Sequence, residues 1–469
     1  MQNVNWKDEV NKRQEDLLHD TKKMLQIKSI LDEENAVEGA PFGTKVKEAL
    51  DFLLDLGSSS GMKVKNLDGY AGHLEIGEGD DLIGVLCHID VVPEGDGWSV
   101  DPFGGEVKEG KIFARGAIDD KGPTMAAFYG MKIIQELKLP LSKRVRLIIG
   151  ADEESDWRCV DHYFKHEEMP SMGFAPDADF PIINAEKGII DVMLSLQAEA
   201  AEVSDGSLLL SFSSGRRLNM VPDAADASIQ TEDAESVLQA FSAFLKEENL
   251  QGNGSSEGGT VKLRLEGVSA HGSTPEQGVN AGTKLARFLS KYVVSGSGAV
   301  FIQLVSEGLS EDHYGMKLGI DEEDEASGKL TVNPGMMEYN HDKEAKVGLN
   351  IRFPVTHKGE KTIEKLKNNV KEDGWNVFVK ENKAPNYVEE SHVLVQTLKK
   401  VYEEQTGKEG ELIAIGGGTY ARSLKAGVAF GALFPGRKDV AHQKDEHMFV
   451  DDLFQAAAIY AQAIYELAK

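Results

Sequence analysis

The chain has 469 residues, of which 41% are hydrophobic and 28% are charged, and its formal net charge at pH 7 is −27. This length and this ordinary composition predict a globular protein of two or three domains with a large buried core. The strong negative charge argues against nucleic acids and anionic membranes as partners, because both repel an acidic surface. Most of the 78 Asp and Glu residues are expected to serve solubility, since only a handful can belong to one site.

The cysteine content and the N-terminal segment indicate the compartment. Two cysteines, Cys87 and Cys159, are too few for a disulfide framework and favour a reducing environment. Residues 1–7 lack the apolar core of a signal peptide, and no segment approaches the ~18 consecutive apolar residues of a membrane span. We therefore expect a cytoplasmic protein without a membrane partner.

Apolar residues recur at helical spacing over residues 6–29 and 44–57, which predicts helices at the start of the chain. Strands and helices then alternate, and the clearest of them are a strand at 82–86, a helix at 121–137, a strand at 145–149 and a helix at 155–166. This alternation is typical of parallel strands joined by helical crossovers. It predicts an α/β domain with a mostly parallel central sheet flanked by helices.

The pattern changes near residue 188 to half-exposed strands with fewer helices. Two similar rounds follow, the first with strands at 189–197, 207–213, 225–230 and 260–266 and helices at 232–247 and 279–293, the second with strands at 329–333, 345–354 and 376–380 and a helix at 360–371. Helices are predicted at 391–406 and 450–467, where the sequence pattern again resembles that of the first α/β region. We therefore expect a discontinuous α/β domain, formed by residues 1–187 and 384–469, and an inserted α+β domain of two related halves at 188–383.

Histidine and acidic residues follow apolar segments at several distant places. They are His88 with Asp90, Asp119 with Asp120, Glu153 with Glu154, Asp177 with Asp179, and, far downstream, His442. An open parallel sheet binds ligands at the carboxyl edge of its strands, so these clusters can meet in one site. Each cluster alone has a simpler explanation, such as a capped strand end, a helix cap, a turn or ordinary surface.

Together these clusters supply two imidazoles and three carboxylates as candidate metal ligands. Mixed His and Asp/Glu ligation suits zinc, manganese or cobalt better than calcium or magnesium. His88 and Asp90 lie two apart at a strand end and face the same side, so the carboxylate can orient the imidazole. Glu153 and Glu154 are adjacent and diverge, so one can bind a metal while the other accepts a proton. Two ions that share a carboxylate are suited to amide hydrolysis.

Several motifs occur in order along the chain, namely HIDVVP from His88, ARGAIDDKG from Ala114, DEE from Asp152, PDA from Pro176, IGGGTYAR from Ile415 and the downstream His442. In this succession the whole chain resembles the PepV-type bacterial dipeptidases. These belong to the aminoacylase, carnosinase and glutamate-carboxypeptidase superfamily of co-catalytic metallopeptidases. The resemblance implies two divalent metal ions, with Zn²⁺ expected and Mn²⁺ or Co²⁺ as alternatives.

The resemblance also implies a role for each ligand. Asp119 would bridge the two ions, with His88 and Asp177 completing one site and Glu154 and His442 the other. The nearby His447 is not favoured, because His442 follows Val-Ala and precedes the last helix at the interval typical of the family.

Further roles follow from the same resemblance. Glu153 would be the general base and acid, and Asp90 the partner of His88, while the peptide bond between Asp119 and Asp120 would be cis. In the insert, which would act as a lid, His271 would stabilise the oxyanion. The expected substrate-binding residues are Asn219, Arg352, Gly417 and Gly418. An arginine suits the terminal carboxylate of a peptide, because its guanidinium can bind both oxygens.

We therefore expect a metal-dependent dipeptidase that hydrolyses unblocked dipeptides as a monomer, with small peptides as its partners. An N-acyl-amino-acid deacylase is the alternative, because lid contacts rather than metal ligands select the substrate. A regulatory metal-binding protein without catalysis is disfavoured, because the candidate general base Glu153 is present. Two-metal phosphoesterase chemistry is disfavoured too, because no phosphate-binding Lys or Arg accompanies the strand ends.

Overall fold

The computed structural model describes residues 4–197, 206–341 and 343–469. None of the helices in these ranges is both long enough and apolar enough to cross a membrane. In chain order the helices are α1 (Trp6–Asn11), α2 (Gln14–Leu25), α3 (Thr44–Ser59), α4 (Lys121–Glu136), α5 (Arg158–His166), α6 (Ala234–Glu247), α7 (Ala281–Leu289), α8 (Gly296–Gln303), α9 (Gly359–Val370), α10 (Val393–Thr406) and α11 (Val450–Ala468).

The strands are short in most of the chain and reach ten residues in three places. In chain order they are β1 (Lys63–Leu67), β2 (Ala71–Ile76), β3 (Leu82–His88), β4 (Glu106–Lys108), β5 (Lys111–Phe113), β6 (Arg144–Gly150), β7 (Met172–Ala175), β8 (Ala178–Asp179), β9 (Ile182–Glu186), β10 (Gly188–Gln197), β11 (Leu208–Ser214), β12 (Ala224–Gln230), β13 (Gln251–Glu257), β14 (Thr260–Glu266), β15 (Glu323–Asp324), β16 (Gly328–Lys329), β17 (Thr331–Asn340), β18 (Glu344–Phe353), β19 (Asn376–Lys383), β20 (Asn386–Tyr387), β21 (Leu412–Ile415), β22 (Gly427–Ala429), β23 (Ala432–Leu433) and β24 (His447–Phe449).

The chain divides into two compact units. The first unit consists of Met1–Ala185, Asn386–Ala414 and Gly418–Lys469, and the second of Glu186–Pro385 with Ile415–Gly417. Each unit has its own large sheet. The first holds the predicted α/β pattern and the second holds the α+β pattern.

The sheet of the first unit has the order β1-β2-β6-β3-β7-β22-β9-β20, and β21 also pairs with β9. Its four central strands, β6, β3, β7 and β22, run parallel. The strands outside them are antiparallel where β1 meets β2, β2 meets β6 and β22 meets β9. The prediction of a mostly parallel central sheet is therefore confirmed for its centre. Strand β3 is buried at every residue, as expected for a central strand covered on both faces.

Parallel pairing brings three of the predicted clusters to one edge of this sheet. His88 ends β3 and pairs in register with Gly150, which ends β6, and the DEE motif follows directly. Strand β7, on the other side of β3, ends at Ala175 just before Asp177. Because these strands run in the same direction, the residues that follow them lie at the same edge. Helix α4 begins directly after Asp120 and packs against β3 and α11.

The second unit contains an antiparallel sheet in the order β13-β14-β12-β11-β17-β18-β10-β19. Alternate residues of β12 and β14 are buried, so one face packs on helices while the other is more exposed. The run β11-β12-α6-β13 and the run β17-β18-α9-β19 share the same order of elements.

Some element boundaries differ from the sequence-based expectation. The first predicted helix is interrupted at Arg13, whose backbone leaves the helical region, and the pieces are α1 and α2. The helix expected from residue 155 begins three residues later, because the Asp152 carboxylate binds the Ser155 hydroxyl and the Arg158 backbone N–H in a turn. Strand β13 was not predicted, since its sequence QGNGSSE has low strand propensity, and it forms through pairing with β14.

Candidate metal centre

All five predicted metal ligands lie in the first unit. His88 is fully buried at the end of β3. Its Nδ1 lies 3.1 Å from the backbone carbonyl oxygen of Asp90 and 3.6 Å from the Oδ1 of the same residue. Its Nε2 lies 3.1 Å from Oδ1 of Asp119. The ring is therefore held from one side while its other nitrogen faces the acidic cluster.

Asp119 lies between the two histidines. Its Oδ1 is the atom near His88, and its Oδ2 lies 2.9 Å from Nε2 of His442. The peptide bond between Asp119 and Asp120 is cis, in agreement with the sequence-based expectation. Each carboxylate oxygen thus faces a different imidazole, which is the geometry expected of a ligand shared by two metal ions.

The remaining carboxylates complete two overlapping groups around Asp119. Nε2 of His88 lies 3.8 Å from Oδ1 of Asp177, and Nε2 of His442 lies 3.0 Å from Oε1 of Glu154. The candidate ligand atoms within each group, His88/Asp119/Asp177 and Asp119/Glu154/His442, all lie within 4.8 Å of one another. Glu153 is also close, with its Oε2 3.9 Å from Nε2 of His88.

The carboxylate of Asp90 holds the turn that carries the two glutamates. The backbone N–H of Glu153 donates to its Oδ1 at 3.1 Å, and the N–H of Glu154 donates to its Oδ2 at 3.0 Å. Asp90 therefore joins the segment after β3 to the segment after β6. Its carboxylate makes these two hydrogen bonds in addition to its position beside His88.

The electrostatics of the cluster favour a bound cation. Burial lowers the pKa of His88, but the carboxylates of Asp119, Asp177 and Asp90 raise it more, so the pKa lies well above its usual value. Hydrogen bonds to Asp119 and Glu154 raise the pKa of His442 to about 10. These shifts favour a proton on each imidazole in the metal-free protein, and a divalent cation would compete with that proton.

The acids of the cluster are perturbed in different directions. Burial raises the pKa of Glu153 well above its usual value, and burial followed by the charge of Asp119 raises the pKa of Asp177 to about 6. Burial also acts to raise the pKa of Asp119, but the two histidines lower it below its ordinary range. Mixed imidazole and carboxylate donors, partly buried and paired with one another, fit a transition-metal or zinc site.

Several supporting residues were not assigned a role from the sequence. The Asp120 Oδ2 accepts from the His88 backbone N–H at 3.2 Å and from the Thr124 hydroxyl at 3.0 Å. The ring of Tyr420 meets the imidazole of His88 edge to face, at 6.0 Å between centroids. Asp120 lies in the ARGAIDDKG motif and Tyr420 in the IGGGTYAR motif, and this position was the only sequence feature that could have indicated their roles. Thr124 lies two residues beyond the end of ARGAIDDKG.

His447 is placed differently from His442. It lies in β24, its ring packs against Phe113 and Phe449, and its Nδ1 lies 2.9 Å from the carbonyl oxygen of Asp445. It belongs to neither of the two groups around Asp119.

Four of the remaining predicted site residues, His271, Asn219, Arg352 and Gly417, lie in the second unit, while Gly418 lies in the first. The backbone N–H of Gly272 donates to the carbonyl of Asn219 at 2.8 Å, so the segments of Asn219 and His271 are neighbours. Burial and then the positive charge of Arg352 lower the pKa of His271, which indicates that these two side chains are near each other. The second unit therefore brings His271, Asn219 and Arg352 into one region.

Comparison with known proteins gives a consistent result over the whole chain. Residues 84–466 match the sequence pattern of Peptidase family M20/M25/M40. The chain is 55% identical over 466 residues to the putative dipeptidase YtjP of Bacillus subtilis (strain 168), covering 99% of this chain and 100% of that protein. It is 43% identical over 465 residues to a putative dipeptidase of Staphylococcus epidermidis, covering 98% and 99% respectively.

Solved structures are similar at lower sequence identity. Aminoacylhistidine dipeptidase from Vibrio alginolyticus gives a TM-score of 0.60 at 12% identity, with coverage of 97% of this chain and 96% of that chain. Aminopeptidase PepT from Bacillus cereus ATCC 10987 gives a TM-score of 0.56 at 17% identity, with coverage of 97% and 99%. At these identities the likeness shows a shared fold.

Proposed function

The chain belongs to Peptidase family M20/M25/M40, and from this membership and the geometry around Asp119 we propose that it hydrolyses the peptide bond of unblocked dipeptides. The relatives that are 55% and 43% identical over nearly the whole chain are both named putative dipeptidases. The observation that carries the proposal is the position of Asp119, which belongs to two three-residue ligand groups at once.

We propose that two divalent ions bind there. His88 and Asp177 would hold one ion and Glu154 and His442 the other, with Asp119 shared between them. When bound, such ions polarise a water molecule and the carbonyl group of the substrate. The donor set favours Zn²⁺, with Mn²⁺ and Co²⁺ as alternatives.

Glu153 is proposed as the general base and then the general acid. Burial raises its pKa well above the usual value, which makes it a stronger base than an exposed glutamate. Glu153 also belongs to a third candidate ligand group, with His88 and Glu154, but the two groups that share Asp119 are complete without it. Its carboxylate would take a proton from the attacking water and return it to the amine of the leaving product.

The second unit is proposed to act as the lid that binds the substrate. Nε of Arg352 donates to Oδ1 of Asn350 at 2.9 Å, which orients the guanidinium for a substrate carboxylate. His271 would stabilise the oxyanion, and Asn219 would bind the substrate nearby. Apart from Gly417 itself and its two chain neighbours, no atom of the described residues lies within 4 Å of where a Cβ on Gly417 would be, so substrate can approach its backbone. Gly418 is also proposed to bind substrate, and the space in which its Cβ would lie is filled by the guanidinium of Arg422, with Nη1 at 2.3 Å.

Binding of the free carboxylate by Arg352 would limit the enzyme to very short peptides. A deacylase with the same metal centre would instead require a blocked amine, and the names of the relatives do not favour it. We further propose that the protein is a cytoplasmic monomer that acts on small peptides. The absence of disulfides supports this compartment, since Cys87 and Cys159 are both free and buried.

The test is hydrolysis of a panel of free dipeptides by protein that has been chelated and then supplied with Zn²⁺, Mn²⁺ or Co²⁺. We expect cleavage to require metal, to be lost in Glu153→Ala, and to fall when the amine of the dipeptide is acetylated. Preference for the acetylated compounds would support the deacylase instead. Stoichiometric metal binding without cleavage of any dipeptide would contradict the proposed function.

A further inference from the structure

A buried ion pair lies next to the proposed metal centre. Arg115 and Glu446 are 1% and 0% exposed, and Nη1 of Arg115 donates to Oε2 of Glu446. Removing two charges from water is costly, and a buried pair often contributes little net stability compared with apolar residues. A role in fixing the local geometry therefore explains this pair better than stability does.

Glu446 holds the loop that carries Asp119. Its Oε1 accepts from the backbone N–H of Ile118 at 3.1 Å and of Asp119 at 3.4 Å. Its own backbone carbonyl accepts from the N–H of Ala114 at 3.1 Å. One residue thus binds both ends of the segment 114–119, whose last residue is the shared ligand.

Arg115 extends these contacts to the segment that follows His88. Its Nη2 donates to the carbonyl oxygens of Pro93 at 3.3 Å and Glu94 at 3.2 Å. The guanidinium also lies over the ring of Trp98, 5.3 Å from the centroid. The ion pair therefore joins the segment after β3, the loop of Asp119 and the segment after His442.

The two proposed metal sites depend on this pair to different degrees. His88 is buried at a strand end, and its backbone N–H is bound by the Asp120 carboxylate. The side chain of His442 is 50% exposed, and the residue lies in a loop with a φ of 60°. Glu446, four residues further on, is the buried anchor of that loop, so displacing it moves His442 more readily than His88.

We propose that Arg115 and Glu446 form a positioning pair for the metal ion held by Asp119, Glu154 and His442. This inference rests on the proposed two-metal centre but not on the identity of the substrate. It assigns neither residue to contact with metal or substrate. Both act through the backbone of the loops that they join.

The experiment titrates chelated protein with Co²⁺ and follows binding by calorimetry and by the visible absorption of the bound ion. Glu446→Gln keeps the side-chain volume but places an amide NH₂ group against either the guanidinium or the backbone N–H groups. Because Glu446 also holds the backbone of the shared ligand Asp119, we expect both Co²⁺ ions to bind more weakly, the second by roughly 10–100-fold and more than the first, with an altered spectrum. Arg115→Lys, which keeps the charge but cannot reach all three partners, is expected to have the same effect.

Glu75→Gln is the matched control. Glu75 and Arg146 form another ion pair of the first unit, 2.7 Å apart and each 7% exposed, between β2 and β6. Neither residue contacts the loops of the metal centre in the hydrogen bonds of the described chain. This variant should lose stability but bind both Co²⁺ ions normally.

Normal affinity and a normal spectrum for both ions in Glu446→Gln would overturn the proposal, even if thermal stability fell. If Glu446→Gln does not fold, the Co²⁺ titration of Arg115→Lys tests the same proposal. The same experiment distinguishes failure of the proposed function from failure of this proposal. If the unchanged protein binds two Co²⁺ ions but cleaves no dipeptide, the proposed function is wrong, and the titration of the variants still tests the positioning pair. An unchanged protein that binds fewer than two ions rejects both proposals.

Discussion

Replacing Asp90 tests whether its carboxylate sets the geometry of the two glutamates. Asp90 is 3% exposed, and each of its carboxylate oxygens accepts one backbone N–H, from Glu153 at 3.1 Å and from Glu154 at 3.0 Å. Asp90→Asn replaces one acceptor by an NH₂ group that faces an N–H donor. Asp90→Ala removes both acceptors and leaves both partly buried N–H groups without their carboxylate acceptor.

The expected magnitudes follow from these two bonds. A hydrogen bond to a charged group contributes about 1.5–3 kcal/mol, so Asp90→Asn should lower the free energy of unfolding by about that amount. Asp90→Ala loses two such bonds, so its cost should approach roughly twice that figure, less whatever entering water restores. Metal affinity or activity should fall roughly 10–100-fold in both variants, because the turn that carries the ligands is no longer held.

Urea unfolding gives the stability, and amide hydrogen exchange at residues 153 and 154 reports the two bonds directly. Asp312→Asn is the matched control, since Asp312 is 8% exposed and its two oxygens accept from the N–H groups of Tyr314 at 3.1 Å and Lys317 at 2.6 Å. It lies in the second unit, so the control should lose stability but keep metal affinity. Unchanged exchange and unchanged metal affinity in Asp90→Asn would refute the reasoning.

Three other changes have defined outcomes. In the metal-free protein the carboxylates of Asp119 and then Glu154 raise the pKa of His442 to about 10 from 6.5. The stability that these hydrogen bonds contribute is therefore present below pH 6.5 and is lost as pH rises towards 10. Thermal unfolding of chelated protein should therefore show a lower Tm at pH 9 than at pH 7, and a smaller difference in His442→Gln. A Cβ on Gly150 would lie 2.0 Å from the Tyr420 hydroxyl, so Gly150→Ala should displace that ring and weaken Co²⁺ binding; unchanged binding would contradict the packing argument. Arg352→Lys should raise KM for dipeptides more than it lowers kcat, because a lysine cannot bind a carboxylate through two parallel hydrogen bonds, and a change in kcat alone would argue against carboxylate binding.

Much of the first unit could be predicted from local sequence, because its central strands are continuous apolar runs. His88 follows the run at 82–86 and Glu153 follows the run at 145–149, so both could be placed at the carboxyl edge of a parallel sheet. Local sequence did not predict the secondary structure where pairing with a neighbouring strand outweighs a low intrinsic strand propensity. Strand β13 is the clearest case, since its exposed polar sequence becomes a strand only beside β14.

The supporting contacts could not be derived from local sequence. Arg115 and Glu446 lie 331 residues apart, and no periodicity relates them. Asp90 could be placed beside His88 because residues two apart on a strand share a face. That its carboxylate also binds the N–H groups of Glu153 and Glu154 depends on β6 lying next to β3.

The choice of ligands among the candidate His, Asp and Glu residues rested on the resemblance to a known family, whereas the order of hydrophobic segments was sufficient to predict the type of fold. Short-range periodicity carries that information, because it depends only on which side chains must be buried. The distances that make Asp119 a shared ligand, with one oxygen near each histidine, depend on how strands and loops distant in sequence are packed. Only the tertiary structure decides these distances, because each depends on many contacts between segments that lie up to several hundred residues apart in the sequence.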